Sequence, residues 1–218
     1  MNILVAIPSR SNLKGLNSVV NHCLNVESVG KVLIYDNGYG EGTTFPEGAE
    51  RIDASGWAFY RMWNDGWAQA SQGRFDAVAL LNDDIQLAPG SLNEAFSVLM
   101  KNERTGLVGL NYERRTKLGV RASAGSRVVS GSYRNHGIGG HAFLVKSSTW
   151  GTVPPIDERY TLWYGDDELF ANMELYGYQL EIALGAPVDH EESTTTNKHP
   201  ELLAKTGADR DLFVSKFG

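Results

Sequence analysis

The sequence predicts an α/β domain with a mostly parallel central sheet flanked by helices. Short apolar runs alternate with segments of helical spacing through the first half of the chain. That alternation marks parallel strands joined by crossover helices. The runs themselves, "ILVAI", "KVLIYD" and "FDAVALL", are continuously apolar, as strands covered on both faces are. Size and composition agree: 218 residues, 42% hydrophobic and 21% charged, suit one ordinary globular domain.

Taken in order, residues 3–7 form the first strand, closed by Pro8. Leu13, Leu16, Val19, Val20 and Leu24 predict a helix over 12–25 with Ser11 or Asn12 as its cap. Strands follow at 31–36 and 50–53, then a helix over about 58–71 and a strand over 75–81. Pro89 and Gly90 open a helix to about residue 102, and 106–110 is a further strand. The second half is less regular. Residues 141–146 and 179–184 read as strands, 166–176 as a helix, and the tail from about 199 to 217 as helical. No repeat or linker divides the chain.

Composition also excludes several classes. A net charge of -6 argues against sequence-blind affinity for nucleic acid. The single cysteine, Cys23, permits neither an internal disulfide nor a cysteine-rich zinc site. No apolar run reaches the length of a membrane span, and "NILVAIP" is too short for a signal-peptide core. A soluble, cytoplasmic protein is the expectation.

Three apolar strands end in polar signals: Pro8-Ser9-Arg10, Asp36-Asn37-Gly38 and Asn82-Asp83-Asp84. In open α/β sheets, ligands bind beyond the carboxyl ends of the strands. Asp and Asn also begin turns, which would account for Asp36-Asn37-Gly38 alone. Adjacent carboxylates repel, however, and Asp83 and Asp84 both need a partner. An oxygen-rich site with open positions suits Mg²⁺ or Mn²⁺ bridging phosphates.

At these residues "LLNDD" resembles the DxD-type motif of GT-A glycosyltransferases, especially the inverting glycosyltransferase family 2. "VLIYDNGYGEGT", "NDGWAQASQG" and "PPIDERYTLWYGDDEL" are similar to three further stretches of that family, in the same order. The resemblance implies a single GT-A-like domain. Residues 1–110 would be its nucleotide-sugar-binding half, 111–195 its acceptor and catalytic half, and 196–218 a helical tail. Asp36 would contact the base, Pro8, Ser9 and Arg10 would line the nucleotide pocket, and Asn64 and Gly66 would lie near it. Asp84 matches the last carboxylate of the motif, a direct metal ligand. Asn82 stands where Asp is commoner, which favours a ribose contact, and Asp83 takes the middle position. His190, in "PVDHEEST", matches a histidine of the family and is the second metal ligand. Asp167 matches the family's catalytic Asp, and Asp166 stands where Glu is usual. The register at Glu168 is one residue tighter than the common pattern, so Asp166, Asp167 and Glu168 all stay in view as the base.

The chemistry suits these residue types on its own terms. A nucleotide-diphosphate leaving group, whether of a UDP-, GDP- or dTDP-sugar, gains negative charge as the sugar's C–O bond breaks, and a divalent cation stabilises it. A second carboxylate must take the acceptor's proton. Acidic residues also favour the first turn of a helix, and Asp166 suits that structural role equally. Trp163 and Tyr164 could stack on a sugar or anchor the core. From Arg114 to Arg134 six basic residues occur without an acidic one. They suit either a polyanionic acceptor or a solvated hairpin.

"GIGGHA" (137–142) matches a dinucleotide fingerprint only in letters, since no strand precedes it and no helix follows. Its glycines are expected to let the backbone approach donor or acceptor closely. Two rival functions remain: a nucleotidyltransferase, which usually has a Gly-rich loop that "PSRSNLKG" lacks, and a non-catalytic nucleotide-sugar or carbohydrate-binding module.

Overall fold

A computed structural model describes residues 2–112, 125–129, 137–191 and 200–218. Among them lie nine strands and five α-helices. The strands are β1 (Ile3–Ser9), β2 (Val29–Asp36), β3 (Glu50–Asp53), β4 (Ala77–Leu81), β5 (Ile85–Leu87), β6 (Thr105–Asn111), β7 (Ser126–Val129), β8 (Ala142–Lys146) and β9 (Gln179–His190). The helices are α1 (Leu13–Leu24), α2 (Phe59–Gln72), α3 (Ser91–Lys101), α4 (Gly165–Leu175) and α5 (Thr206–Phe217). One sheet runs β3-β2-β1-β4-β8-β6-β9-β5, with β7 also on β9. Its first four strands are parallel, and β8 is inserted antiparallel to both neighbours.

Successive residues of a strand face opposite sides, and here both sides are covered. Leu4, Ala6, Leu33, Tyr35, Val78 and Leu80 face α2, α4 and Phe213 of α5. Ile3, Val5, Ile7, Val32, Ile34, Ala79 and Leu81 face α1 and α3. The continuous apolar runs of the sequence follow from this double burial. Among the described residues no helix is long and apolar enough to cross a membrane.

Strands β1 and β9 run past their expected ends, β5 and β7 are additional, and one of the two expected cap residues is used. Strand β1 continues through Pro8 and Ser9. It pairs with β4 only as far as Ala6, so Pro8 lies where the strand is paired on one side and its missing N–H is tolerated. Strands β5 and β7 have three and four residues, too few to show a period. Asn12 is the cap of α1, its side chain accepting the Gly15 N–H at 3.2 Å.

Strand β9 runs six residues past its expected end, through Gly185 and Pro187. Leu110 pairs with Ala183 but Asn111 pairs with Pro187, so Leu184, Gly185 and Ala186 form a bulge. Hydrogen bonds tie down both of its ends, as a buried backbone favours. The Leu184 N–H donates to the Gly125 carbonyl at 2.9 Å, and the Leu184 carbonyl accepts from Asn111 Nδ2 at 3.2 Å. The Pro187 carbonyl accepts from Ser91 Oγ at 2.7 Å and from the Ala88 N–H at 3.3 Å. Beyond the bulge, β9 leaves β6 and pairs with β5. Of the basic segment 114–134, only Gly125–Val129 fall within the described residues, as does neither His136 nor His199.

Candidate active site

The turn of β4 into β5 and the end of β9 form one corner. Ile85 pairs with His190, and the Glu191 N–H donates to the Asp84 carbonyl at 2.9 Å. This ladder brings His190 Nε2 to 3.0 Å from Asp84 Oδ1. The imidazole ring lies flat against that of His141, with centroids 4.4 Å apart and planes 8° apart. Tyr112 meets His141 edge-on at 4.7 Å. Nothing in the sequence marked His141, because its only local signal is the neighbouring glycines.

A carboxylate oxygen and an imidazole nitrogen together suit Mn²⁺ and tolerate Mg²⁺. No group of three or more His, Cys, Asp or Glu able to hold a metal occurs among the described residues. The corner therefore fits a cation that takes its other ligands from phosphate and water, not a closed structural site.

The expected nucleotide-pocket residues fall into two sets. Ser9, at the end of β1, lies opposite Asp36 of β2. Its hydroxyl donates to Asp83 Oδ2, so the Tyr39 phenol, 2.7 Å away, donates to Ser9. Burial raises the Tyr39 pKa and keeps that phenol protonated. Asp83 also accepts at its carbonyl from Asn12 Nδ2, at 3.0 Å. It thus braces the start of α1 against the end of β1. Asn82 donates its N–H to the His141 carbonyl at 2.9 Å, and its buried Oδ1 accepts no hydrogen bond. Arg10 is exposed beside Gly38, and Pro8 is buried within β1.

Asp36 is buried and saturated. Oδ1 accepts from the N–H groups of Gly38 and Tyr39 at 3.0 and 2.8 Å, and Oδ2 from Arg51 Nε at 2.9 Å. Arg51 Nη2 reaches the same oxygen at 2.5 Å, so two charge-assisted donors converge on Oδ2. The Arg51 side chain is 47% exposed and lies over Phe45.

Asn64 and Gly66 each have a structural job. The Asn64 amide donates to the Ile156 carbonyl at 2.8 Å and accepts the Ile156 N–H at 2.9 Å. Both ends of the amide thus hold the chain that leads towards α4. Gly66 faces β1: a Cβ there would lie 2.6 Å from Ala6 Cβ. It lets α2 sit close on the sheet.

The acidic cluster opens α4. Tyr164 precedes it with φ of 66°, a left-handed conformation rare outside glycine. Asp166, Asp167 and Glu168 all lie in the first turn of the helix, as the structural reading of Asp166 expects, and the Tyr164 side chain makes no cap hydrogen bond. Asp166 packs on the 139–141 turn, where a Cβ on Gly140 would lie 1.9 Å from its Oδ2. The close approach that Gly140 allows is thus to Asp166. The same turn carries His141, which links the acidic cluster to the His190 corner.

Glu168 is committed elsewhere. Its Oε1 pairs with Lys216 Nζ at 2.7 Å and its Oε2 accepts the Asp157 N–H at 3.2 Å. Asp166 and Asp167 are both half-buried. Tyr164 packs on Phe213 with centroids 5.6 Å apart, whereas Trp163 is exposed.

The chain matches no protein-family model and no curated protein. Among solved structures it is similar to glucosyl-3-phosphoglycerate synthase from Mycobacterium tuberculosis in complex with Mn²⁺, UDP and glucosyl-3-phosphoglycerate. The TM-score is 0.63 at 15% identity, over 95% of this chain and 78% of that one. TarS 1–349 from S. aureus gives 0.61 at 9% identity, over 96% and 65%. GalNAc-T7 with UDP, GalNAc and Mn²⁺ gives 0.63 at 11%, over 87% and 43%. The chain therefore spans just under two thirds of that TarS fragment and less than half of GalNAc-T7. The likeness extends to the fold, which is the GT-A glycosyltransferase fold.

Proposed function

Starting from a GT-A fold, we propose that this protein transfers a sugar from a nucleotide-diphosphate donor to an acceptor hydroxyl, by a single displacement with inversion. The observation that carries the reading is the Asp84–His190 pair, 3.0 Å apart at the edge of the sheet. Solved structures of the same fold hold Mn²⁺ together with UDP, which supports it.

In this reading Asp84 and His190 hold Mn²⁺ or Mg²⁺. When bound, the cation stabilises the negative charge that develops on the departing diphosphate. The unsatisfied Asn82 Oδ1 accepts a ribose hydroxyl, which removes a buried acceptor that is otherwise costly. Ser9 and Tyr39 present a prearranged hydroxyl pair in the donor half. Asp36 acts on the base through Arg51, whose half-exposed guanidinium it orients.

On the acceptor side, Asp167 takes the hydroxyl proton as the acceptor oxygen bonds the anomeric carbon and the C–O bond to the diphosphate breaks. Asp166 is the next candidate. Residues 1–110 serve the donor and 111–195 the acceptor. A phosphate-bearing acceptor is supported by the six cations of 114–134 and by a related structure that contains phosphoglyceric acid beside UDP and Mn²⁺.

Calorimetric titration against UDP-, GDP- and dTDP-sugars, with Mn²⁺ and then with EDTA, tests the donor site. One donor binds in Mn²⁺ and is lost in EDTA and in Asp84→Asn. Asp167→Asn keeps donor binding and loses transfer. Failure of every donor to bind overturns the reading. Donor binding without hydrolysis or transfer would leave a binding module in its place.

A further inference from the structure

One face of helix α5 meets the chain that leads into α4. Asp209, Phe213 and Lys216 recur at helical spacing and share one face. Asp209 is only 2% exposed. Its Oδ1 accepts the Thr161 N–H at 3.0 Å, and its Oδ2 accepts those of Leu162 and Trp163 at 3.1 and 3.0 Å. One turn on, Phe213 packs on Tyr164. Near the helix end, Lys216 Nζ reaches Asp157 Oδ2 and Glu168 Oε1, each at 2.7 Å, and lies over the Tyr160 ring at 5.2 Å.

Every one of these contacts falls on residues 157–168, the segment that delivers Asp166 and Asp167. Three consecutive N–H groups converge on one carboxylate only if the chain curls around it. That curl runs directly into the left-handed Tyr164 and the first turn of α4. A buried carboxylate holding three main-chain donors forms charge-assisted bonds, which are shorter and stronger than neutral ones. Replacing it would leave all three donors unsatisfied.

We propose that Asp209 is a positioning residue for sugar transfer: from α5 it holds the 161–163 backbone and so sets where the carboxylates of α4 stand. The proposal rests on the transferase reading above. It predicts a split between binding and chemistry. The donor corner at Asp84 and His190 makes none of these contacts, so donor affinity is untouched while turnover falls.

The test compares Asp209→Ala and the size-matched Asp209→Asn with wild type. The measurements are the Mn²⁺-dependent donor Kd, kcat and acceptor KM for transfer, and amide hydrogen exchange at residues 161–163. Lys216→Met and Lys216→Arg probe the second contact. The expected result is a kcat lower by at least about tenfold, since a catalytic group displaced by about 1 Å loses on the order of 100-fold. The donor Kd stays within about twofold, the three amides exchange faster, and Lys216→Arg restores what Lys216→Met loses. A folded Asp209→Asn with wild-type kcat overturns the proposal. So does a kcat loss matched by an equal loss of donor affinity, which would mean general damage. A wild type that binds donors but transfers nothing would instead overturn the underlying transferase reading.

Discussion

Truncating His141 to alanine probes how the metal corner is built. The stacked ring holds His190 in the orientation that faces Asp84. Aromatic pairs of this kind contribute about 0.5–1.5 kcal/mol beyond the area they bury. At about 1.4 kcal/mol per tenfold change, loss of the stack weakens Mn²⁺ binding by roughly 2- to 12-fold if its whole effect is to preset His190. His141→Phe keeps a flat ring in the same place and should stay within about twofold of wild type by the same conversion. Titration of Mn²⁺ in the presence of UDP, followed by calorimetry, measures both variants. Thermal melts beside it verify that each is folded at the assay temperature. Wild-type Mn²⁺ affinity in the alanine variant would refute the reasoning. So would a phenylalanine variant as weak as the alanine one, because the stack would then not be what matters.

Two further predictions concern stability. Gly66→Ala drives a methyl against Ala6, an overpacking cost of roughly 1–3 kcal/mol set against about 1 kcal/mol of helix propensity gained. The melting temperature should fall by a few degrees, at roughly 2–4 °C per kcal/mol for a chain of this size, with donor affinity unchanged; lost affinity at an unchanged melting temperature would return Gly66 to the nucleotide pocket. Asp157 carries a depressed pKa, first through its hydrogen bond to Arg159 and then through Lys216. Its contribution is complete above the unfolded carboxyl pKa of about 3.9 and is lost as pH falls through the lower folded value. The stability gap between wild type and Asp157→Asn, read from urea unfolding, should therefore hold steady from neutral pH to mildly acid pH and narrow below about pH 4; an unchanged gap at pH 3 would contradict the ion pairs.

The parallel half of the fold was legible because double burial makes its strands continuously apolar and its helices strongly periodic. The strand-end residues were legible for a related reason: charges such as Asp83 and Asp84 stand out directly after a buried run. What could not be read were properties of distant pairs. Nothing in the sequence joins Asn64 to Ile156, and Asp36 looks like an open acceptor until Arg51 closes on it. Glu168 stands beside Asp166 and Asp167 in sequence, and nothing there shows that Lys216 returns from the far end of the sequence to pair with it. His141 and Asp209 carry no local signature, since a ring stack and a three-donor carboxylate exist only once the fold has formed. Strand β9 was cut short for the opposite reason. Gly185 and Pro187 are true breakers of a regular ladder, and the strand survives by bulging around them.

That bulge acts as a spacer of fixed phase. Continued in simple register past Ala183, the strand would carry His190 three residues further along, about 10 Å at the usual rise. Because three is odd, it would also turn the imidazole to the opposite face of the sheet. Asp84 and His190 thus meet only because Leu184, Gly185 and Ala186 take up slack between the core and the rim. A deletion of one residue there would leave every proposed ligand in the sequence and still abolish the site.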